Sequence, residues 1–374
     1  MPDKHVHIIA FDIPVPVNYG GAIDIFYKLK SLKKAGVKIH LHCFEYDRKP
    51  SALLNELCTE VRYYKRDNSK TKLLSSLPYI VATRYSEELL KNLLHDNYPI
   101  LFEGLHSCNF LNNKKLKNRK KIVRTHNIEH VYYENLARVE KNMFKRYYYQ
   151  NEASKLARFE KILEHADGIA AISKNDAGYF SKKFKNVKTV SAFHPNESIT
   201  SKPGKGAFAL YHGSLEVGEN NEAALFLVRE VFNDLKIKLI IAGNKPTREL
   251  KSAVAGKKNI TLKTGLDSED IYKLVSEAHV NILPTFQSTG IKLKLLAALF
   301  RGRYCLVNTP MIEKTGLESL CICRETASEF KSELKSLFAK DYVLAENARR
   351  EEILLHNGFS NDHNAVALIH LLFH

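Results

Sequence analysis

The chain alternates short, β-branched apolar runs with longer amphipathic stretches, and it does so in two successive series. That rhythm belongs to parallel strands returned by crossover helices, so the expected class is α/β. The first series of strands is expected at Val6–Ile13, Lys38–Phe44, Val61–Tyr64, Ile100–Glu103, Lys121–Thr125, Gly168–Ser173 and Lys188–Ala192. Runs that are apolar at nearly every position, such as Ile169-Ala170-Ala171-Ile172, suit strands covered on both faces. From Ser198 to Gly206 the chain is polar, carries Pro203, Gly204 and Gly206, and has neither helical nor strand period, so it reads as an interdomain linker. The rhythm then restarts at Phe208–His212, Lys238–Ala242, Ile260–Lys263, Val280–Leu283, Tyr304–Val307 and Leu320–Cys323, predicting a second parallel sheet.

A length of 374 residues accommodates two ordinary cores. The hydrophobic fraction of 44% and charged fraction of 26% are those of globular proteins rather than disordered or fibrous ones. No cationic flank and cleavage site mark a signal peptide and no apolar run is long enough to span a bilayer, so a cytoplasmic location is expected. The six cysteines are scattered without zinc-ligand spacing. A formal charge of +16 favours polyanionic partners: nucleic acid, an anionic membrane or phosphorylated small molecules. The densest basic run, Lys114–Lys121, reads first as a solvated loop and helix face, with a membrane-surface or acceptor-phosphate patch as the alternative. No nucleic-acid-binding motif accompanies the charge. A helix is expected over Ser154–His165, and the tyrosine-bearing stretch Phe144–Tyr149 before it could extend it, its rings serving packing or a membrane interface.

Candidate chemistry gathers where expected strands end. Gly20-Gly21 follows the first strand and precedes a helix, where backbone amides can approach an anion; tight turns also use glycine for steric reasons. Both the dinucleotide-binding glycine fingerprint and the P-loop lack their residues. Glu103 and His126 close two further strands, at the carboxyl edge where open α/β sheets bind ligands. Glu103 is read equally as a partner for an acceptor hydroxyl and as a cap for the next helix. In Thr125-His126-Asn127-Ile128-Glu129-His130, Asn127 stands where a zinc protease would need glutamate. In the second half, Gly213-Ser214 ends a strand, with Asn220-Asn221 before the following helix. Ser288-Thr289-Gly290-Ile291-Lys292-Leu293-Lys294 then leads small polar residues, amides and two lysines into a helix start, as a diphosphate requires. Lys292 and Lys294 point about 200° apart on a regular helix, so one of them, for which Lys294 is favoured, faces the phosphate.

In this order the segments resemble glycosyltransferase family 4 and its GT-B relatives over nearly the whole chain. Gly20-Gly21 resembles the family's first glycine loop, and Thr125–His130 the THNxE segment of one branch. Ala170–Asp176 is similar to the xVSxxD strand end. His212-Gly213-Ser214-Leu215 with Asn221 resembles GSLxWxPN, and Ser288–Lys294 resembles GTGxxxK. Phe359-Ser360 and the residues after them resemble the tail that crosses back onto the first domain. The resemblance implies two Rossmann-like α/β domains facing each other across a cleft: an acceptor domain at 1–197, the linker at 198–206, a nucleotide-sugar domain at 207–358 and a returning helix at 359–374. Two departures stand out. Thr289 and Ala297 occupy the places of two glutamates, the second of which usually holds the ribose, and Ser214 replaces a frequent arginine.

What the resemblance implies is a retaining transfer of a hexose from a nucleotide diphosphate sugar to an acceptor hydroxyl, in surface polysaccharide or glycolipid synthesis. His126, Lys294 and Glu103 would be catalytic, and Gly20, Gly21, Gly213, Ser214, Asn221, Ser288, Thr289, Gly290, Ile291 and Lys292 would bind the donor. The nucleotide sugar is a substrate, so no cofactor is expected. Without an Asp-x-Asp motif no metal is expected either. The expected partners are the donor, a saccharide or lipid-linked acceptor, and, at the periphery, an anionic membrane at its inner face. Nucleic acid is not among them. The alternative is a catalytically weak GT-B protein that binds a partner.

Overall fold

The computed structural model of the protein describes residues 3–286, 293–356 and 358–374. They form two compact units, one of residues 3–195 with 358–374 and one of residues 196–286 with 293–356. In the first unit, β1 (His5–Ala10), β2 (Lys38–Glu45), β3 (Glu60–Lys65), β4 (Ile100–Glu103), β5 (Lys121–Thr125), β6 (Gly168–Ala171) and β7 (Val187–Thr189) lie in the order β3-β2-β1-β4-β5-β6-β7. In the second, β8 (Ala209–His212), β9 (Leu239–Ala242), β10 (Ile260–Lys263), β11 (Val280–Ile282), β12 (Tyr304–Val307) and β13 (Ile322–Cys323) lie in the order β10-β9-β8-β11-β12-β13. Every pairing is parallel. The strands expected from the apolar rhythm are therefore all present, with β1 ending at Ala10 and β7 at Thr189, ahead of the expected limits.

Both sheets reverse their winding beside their first strand, where β1 meets β4 and β8 meets β11. At such a reversal the crossover helices leave on opposite faces and open a crevice at the strands' carboxyl ends. One face of the first sheet buries Ile8, Leu41 and Leu101 with Ile25 and Leu29 of helix Gly20–Lys34 and with Leu368 and Leu372 of helix Asn361–Phe373. The other buries Ile9, Phe44, Phe102 and Val123 with Leu156 and Leu163. Chain-terminal helix Asn361–Phe373 starts on the hydroxyl of Ser360, which accepts from the His363 amide. Asn364 Oδ1 then accepts from the Ser191 amide at 3.0 Å, which ties this helix to the chain after β7.

One expectation is revised. The basic run Lys114–Lys121 is only partly a solvated face. Arg119 is buried and donates to the carbonyls of Tyr98 at 2.7 Å and Asp96 at 2.9 Å, and Lys121 donates to the Leu111 carbonyl at 2.9 Å. Within 198–206, Ser201 is buried and held by Arg350 at 2.9 Å, while Gly204 bridges to Tyr342, so this segment is fastened to the second unit. The expected Ser154–His165 helix begins earlier, as Met143–Phe159, and continues as the 3-10 turn Glu160–His165. Among the described residues no helix is long and apolar enough to cross a membrane.

Four histidines, His5 and His7 of β1 and His40 and His42 of β2, lie ring against ring with centroids 5.1 to 5.4 Å apart. His7 Nδ1 lies 2.8 Å from His42 Nε2, His7 Nε2 lies 3.0 Å from Asp96, and His42 Nδ1 lies 2.8 Å from the Tyr64 hydroxyl. Burial lowers His7 to about 4 against the pull of Asp96, and burial likewise holds His42 well below the ordinary imidazole range. Because the folded value lies below the unfolded one of about 6.5, the stabilisation is complete above that pH and is lost as pH falls toward about 4. Urea titrations should therefore show stability falling by roughly 3 kcal/mol from His7 alone between those values, and His7→Asn should flatten that limb.

Candidate active site

The chain leaves β1 through Phe11, Asp12 and Ile13 and returns at Gly20-Gly21 to start helix Gly20–Lys34. Arg48 braces this loop. Its guanidinium donates to the carbonyls of Ile13 at 3.1 Å and Pro16 at 2.6 Å, pairs with Asp12 at 3.4 Å and lies over the Tyr19 ring. Tyr19 in turn donates to Asp12 at 3.2 Å. A Cβ at Gly21 would come within 2.7 Å of the Phe11 ring, so steric need alone accounts for that glycine. The helix carries neither a side-chain cap nor an acidic residue in its first turn, which leaves its positive end uncompensated by side chains.

One turn into this helix a buried charge cluster begins. Asp24 and Lys28, four apart on a face otherwise made of Ala22, Ile25 and Leu29, pair at 2.9 Å. Lys28 also reaches Glu103 Oε1 at 2.6 Å, and Arg124 on β5 pairs with Asp24 at 3.0 Å while donating to the carbonyls of Val190 and Ser191. Glu103 Oε2 meets His126 Nε2 at 2.9 Å, and His126 Nδ1 lies 3.9 Å from Asp24. Asp24, Lys28, Glu103 and Arg124 are at most 1% exposed. The His126 side chain, at 10%, is the member nearest solvent.

Two carboxylates and two permanent cations balance without His126. Burial by itself would raise both acids, but Arg124 and Lys28 hold Asp24 far below the usual carboxylate range. At Glu103 the raising effect of burial is outweighed by Lys28 and by the hydrogen bond from His126. Neither role weighed for Glu103 matches these contacts: both its oxygens are engaged inside the protein, and Gly104 occupies the cap position of the turn that follows. Asp24, Glu103 and His126 offer ligand atoms within 4.8 Å of one another. A divalent cation among them would meet the Lys28 ammonium and the Arg124 guanidinium already bound to the same oxygens, so this donor set does not suit a metal. Beyond His126, Glu129 is buried at the start of helix Glu129–Val139, where burial pushes its carboxyl up to about 8.

Sequence reasoning found Glu103 and His126, which the sheet brings together. It missed Asp24, Lys28 and Arg124. The signal was present in the two charges spaced four apart on an apolar helical stripe.

In the second unit Gly213-Ser214 follows β8 at the reversal. A Cβ at Gly243 would fall 1.9 Å from the Gly213 carbonyl oxygen, so the loops after β8 and β9 touch through backbone. Lys294, in helix Leu293–Arg301, extends its ammonium over the Tyr211 ring and donates to Asn220 Oδ1 at 2.9 Å. Asn220 Nδ2 donates to the Ser214 carbonyl at 3.1 Å. Burial, and then this lysine, lower His212 to about 3, which keeps it neutral. Asn221, singled out from the sequence, instead accepts from the Thr247 hydroxyl at 2.7 Å, and Asn220 is the residue that joins lysine to loop. Successive helical residues diverge by about 100°, which separates the two asparagines. Ser288, Thr289, Gly290, Ile291 and Lys292 lie outside the described residues. Ala297 is 3% exposed.

No family model matches the chain. It is 26% identical over 376 residues, 94% of each chain, to an uncharacterized 44.6 kDa protein in the cps region of Klebsiella pneumoniae. Its structure superposes on sucrose-phosphate synthase from Thermosynechococcus elongatus with a TM-score of 0.70 at 15% identity, covering 98% of each chain. It superposes on a mutant of S. aureus TarM, solved in complex with fondaparinux, α-GlcNAc-glycerol and UDP, with a TM-score of 0.66 at 11% identity. That alignment covers 99% of this chain and all of TarM. The two-sheet architecture is thus the GT-B fold of these glycosyltransferases.

The cluster carries a direct prediction about stability. Removing one member leaves its partner buried and unpaired, so Arg124→Met should cost about 3–5 kcal/mol in chemical denaturation. Lys28→Met combined with Glu103→Gln, which removes opposite charges together, should cost less than the sum of the two single changes.

Proposed function

We propose that the chain is a retaining glycosyltransferase that moves a sugar from a nucleotide diphosphate donor to an acceptor hydroxyl in polysaccharide or glycolipid synthesis. The observation that carries this is the Lys294 ammonium, held by Asn220 against Gly213-Ser214 at the reversal of the second sheet. An ammonium beside a glycine loop at that edge has the charge and approach that a diphosphate needs. The fold shared with sucrose-phosphate synthase and with TarM, whose complex contains UDP, supports the reading, as does a relative from a cps region.

In this reading the acceptor oxygen forms its bond to the anomeric carbon on the face from which the diphosphate departs. The bond from that carbon to the β-phosphate oxygen breaks, and the acceptor proton passes to the departing phosphate. Lys294 and loop amides stabilise the charge that develops there, the largest contribution in sites of this kind. No protein base is needed. In the first unit Glu103, with Asp24, Lys28 and Arg124 around it, is a positioning residue that orients the His126 imidazole, which is exposed enough to meet a sugar substrate. The balanced charges of that cluster favour a metal-independent reaction.

One observation favours the alternative of a weak or inactive binding protein: Ala297, in the place where the family the sequence resembles usually has its ribose-holding glutamate, is both apolar and buried. Calorimetry separates the two, since absence of binding to every UDP-, GDP- and dTDP-sugar would rule out the transferase.

With the donor that binds, Lys294→Ala should lower kcat/KM by about a hundredfold. Unchanged turnover in that variant would dismiss the phosphate role. Activity should survive EDTA, and proton NMR of the first product formed should show the donor's anomeric configuration.

A further inference from the structure

The turn between helix Glu129–Val139 and helix Met143–Phe159 displays large apolar side chains that the packing does not use. Phe144 is 89% exposed, Met143 79% and Tyr147 72%. Single exposed apolar residues are ordinary, whereas three within five positions at one tip form a patch. The turn is firmly built. Asn142 Oδ1 accepts from the amides of Phe144 at 3.0 Å and Lys145 at 3.1 Å, and Arg146 donates twice to the Glu140 carbonyl at 3.0 and 2.8 Å.

Cations surround the patch. Arg138, Lys141, Lys145 and Arg146 face only Glu140 within residues 138–146, and all four are exposed. Arg138 and Arg146 also line a cavity of about 420 Å³ between the two helices, with Glu134, Ala137 and Gln150. The Lys114–Lys121 run differs: Leu116 is buried, and Arg119 and Lys121 are engaged with backbone carbonyls, so it offers charge without an apolar anchor.

We propose that this tip docks on a bilayer containing anionic phospholipid. Met143, Phe144 and Tyr147 enter the interface, while Lys141, Lys145, Arg138 and Arg146 meet headgroup phosphates. Aromatic rings settle at the headgroup level of a membrane, and one apolar anchor plus a basic patch supplies the two signals that stable peripheral binding requires. The proposal goes beyond sugar transfer and does not depend on it, since vesicle binding needs no donor.

Co-sedimentation of the full chain with phosphatidylcholine vesicles, with and without phosphatidylglycerol, tests it. Binding should require phosphatidylglycerol and weaken with added salt. Lys145→Ala should bind about fivefold less tightly, and Phe144→Ser at least about tenfold less tightly. Both variants should melt with the wild-type protein, because neither side chain is packed. Wild-type protein that ignores phosphatidylglycerol, or a Phe144→Ser variant that binds as well as wild type, would overturn the proposal. So would concentration-dependent self-association that Phe144→Ser abolishes while vesicles remain unbound, which would make the tip an interface between copies.

Discussion

A parallel sheet covered by helices on both faces leaves only its strand ends open to chemistry, and the rest of this molecule follows from that constraint. Strands β1 and β8 each stand where the winding reverses, and such a reversal opens a crevice at the carboxyl ends of the strands beside it. The glycine loop at Gly20-Gly21, the carboxylate of Glu103 and the loop at Gly213-Ser214 occupy those ends. In each unit the same topology turns scattered sequence segments into neighbours.

The first edge is underlain by charge rather than by apolar packing. Taking Asp24, Lys28, Glu103 and Arg124 out of water is costly, and an apolar set of similar volume often serves stability as well or better. What the ions provide is direction. Glu103 accepts from His126 through one oxygen while Lys28 holds the other, and Lys28 is itself fixed by Asp24, which Arg124 ties to β5 and to the chain after β7. An imidazole held through such a chain has one orientation.

The second edge uses neutral groups to the same end. Tyr211 and Asn220 hold Lys294 beside the Gly213-Ser214 loop, while burial and this lysine keep His212 neutral. The first edge neutralises its charges internally, and the second holds its lysine through a ring face and an amide oxygen.

The order of apolar runs determined the α/β class, the strands and the segments that close them, because strand period and turn residues are local properties. His126, Glu103, Gly213 and Lys294 were legible for the same reason, each lying next to a strand end or helix start. Tertiary structure alone decided which charges meet. Asp24 and Arg124 are 100 positions apart, and only the neighbouring of β1, β4 and β5 brings them together. It also decided between Asn220 and Asn221, which differ by a rotation about a helix axis that composition does not record. The same holds for the aromatic stretch around residue 144: its sequence suits packing more than a membrane interface, and only the turn between two helices turns Phe144 outward while Tyr148 and Tyr149 are half-buried.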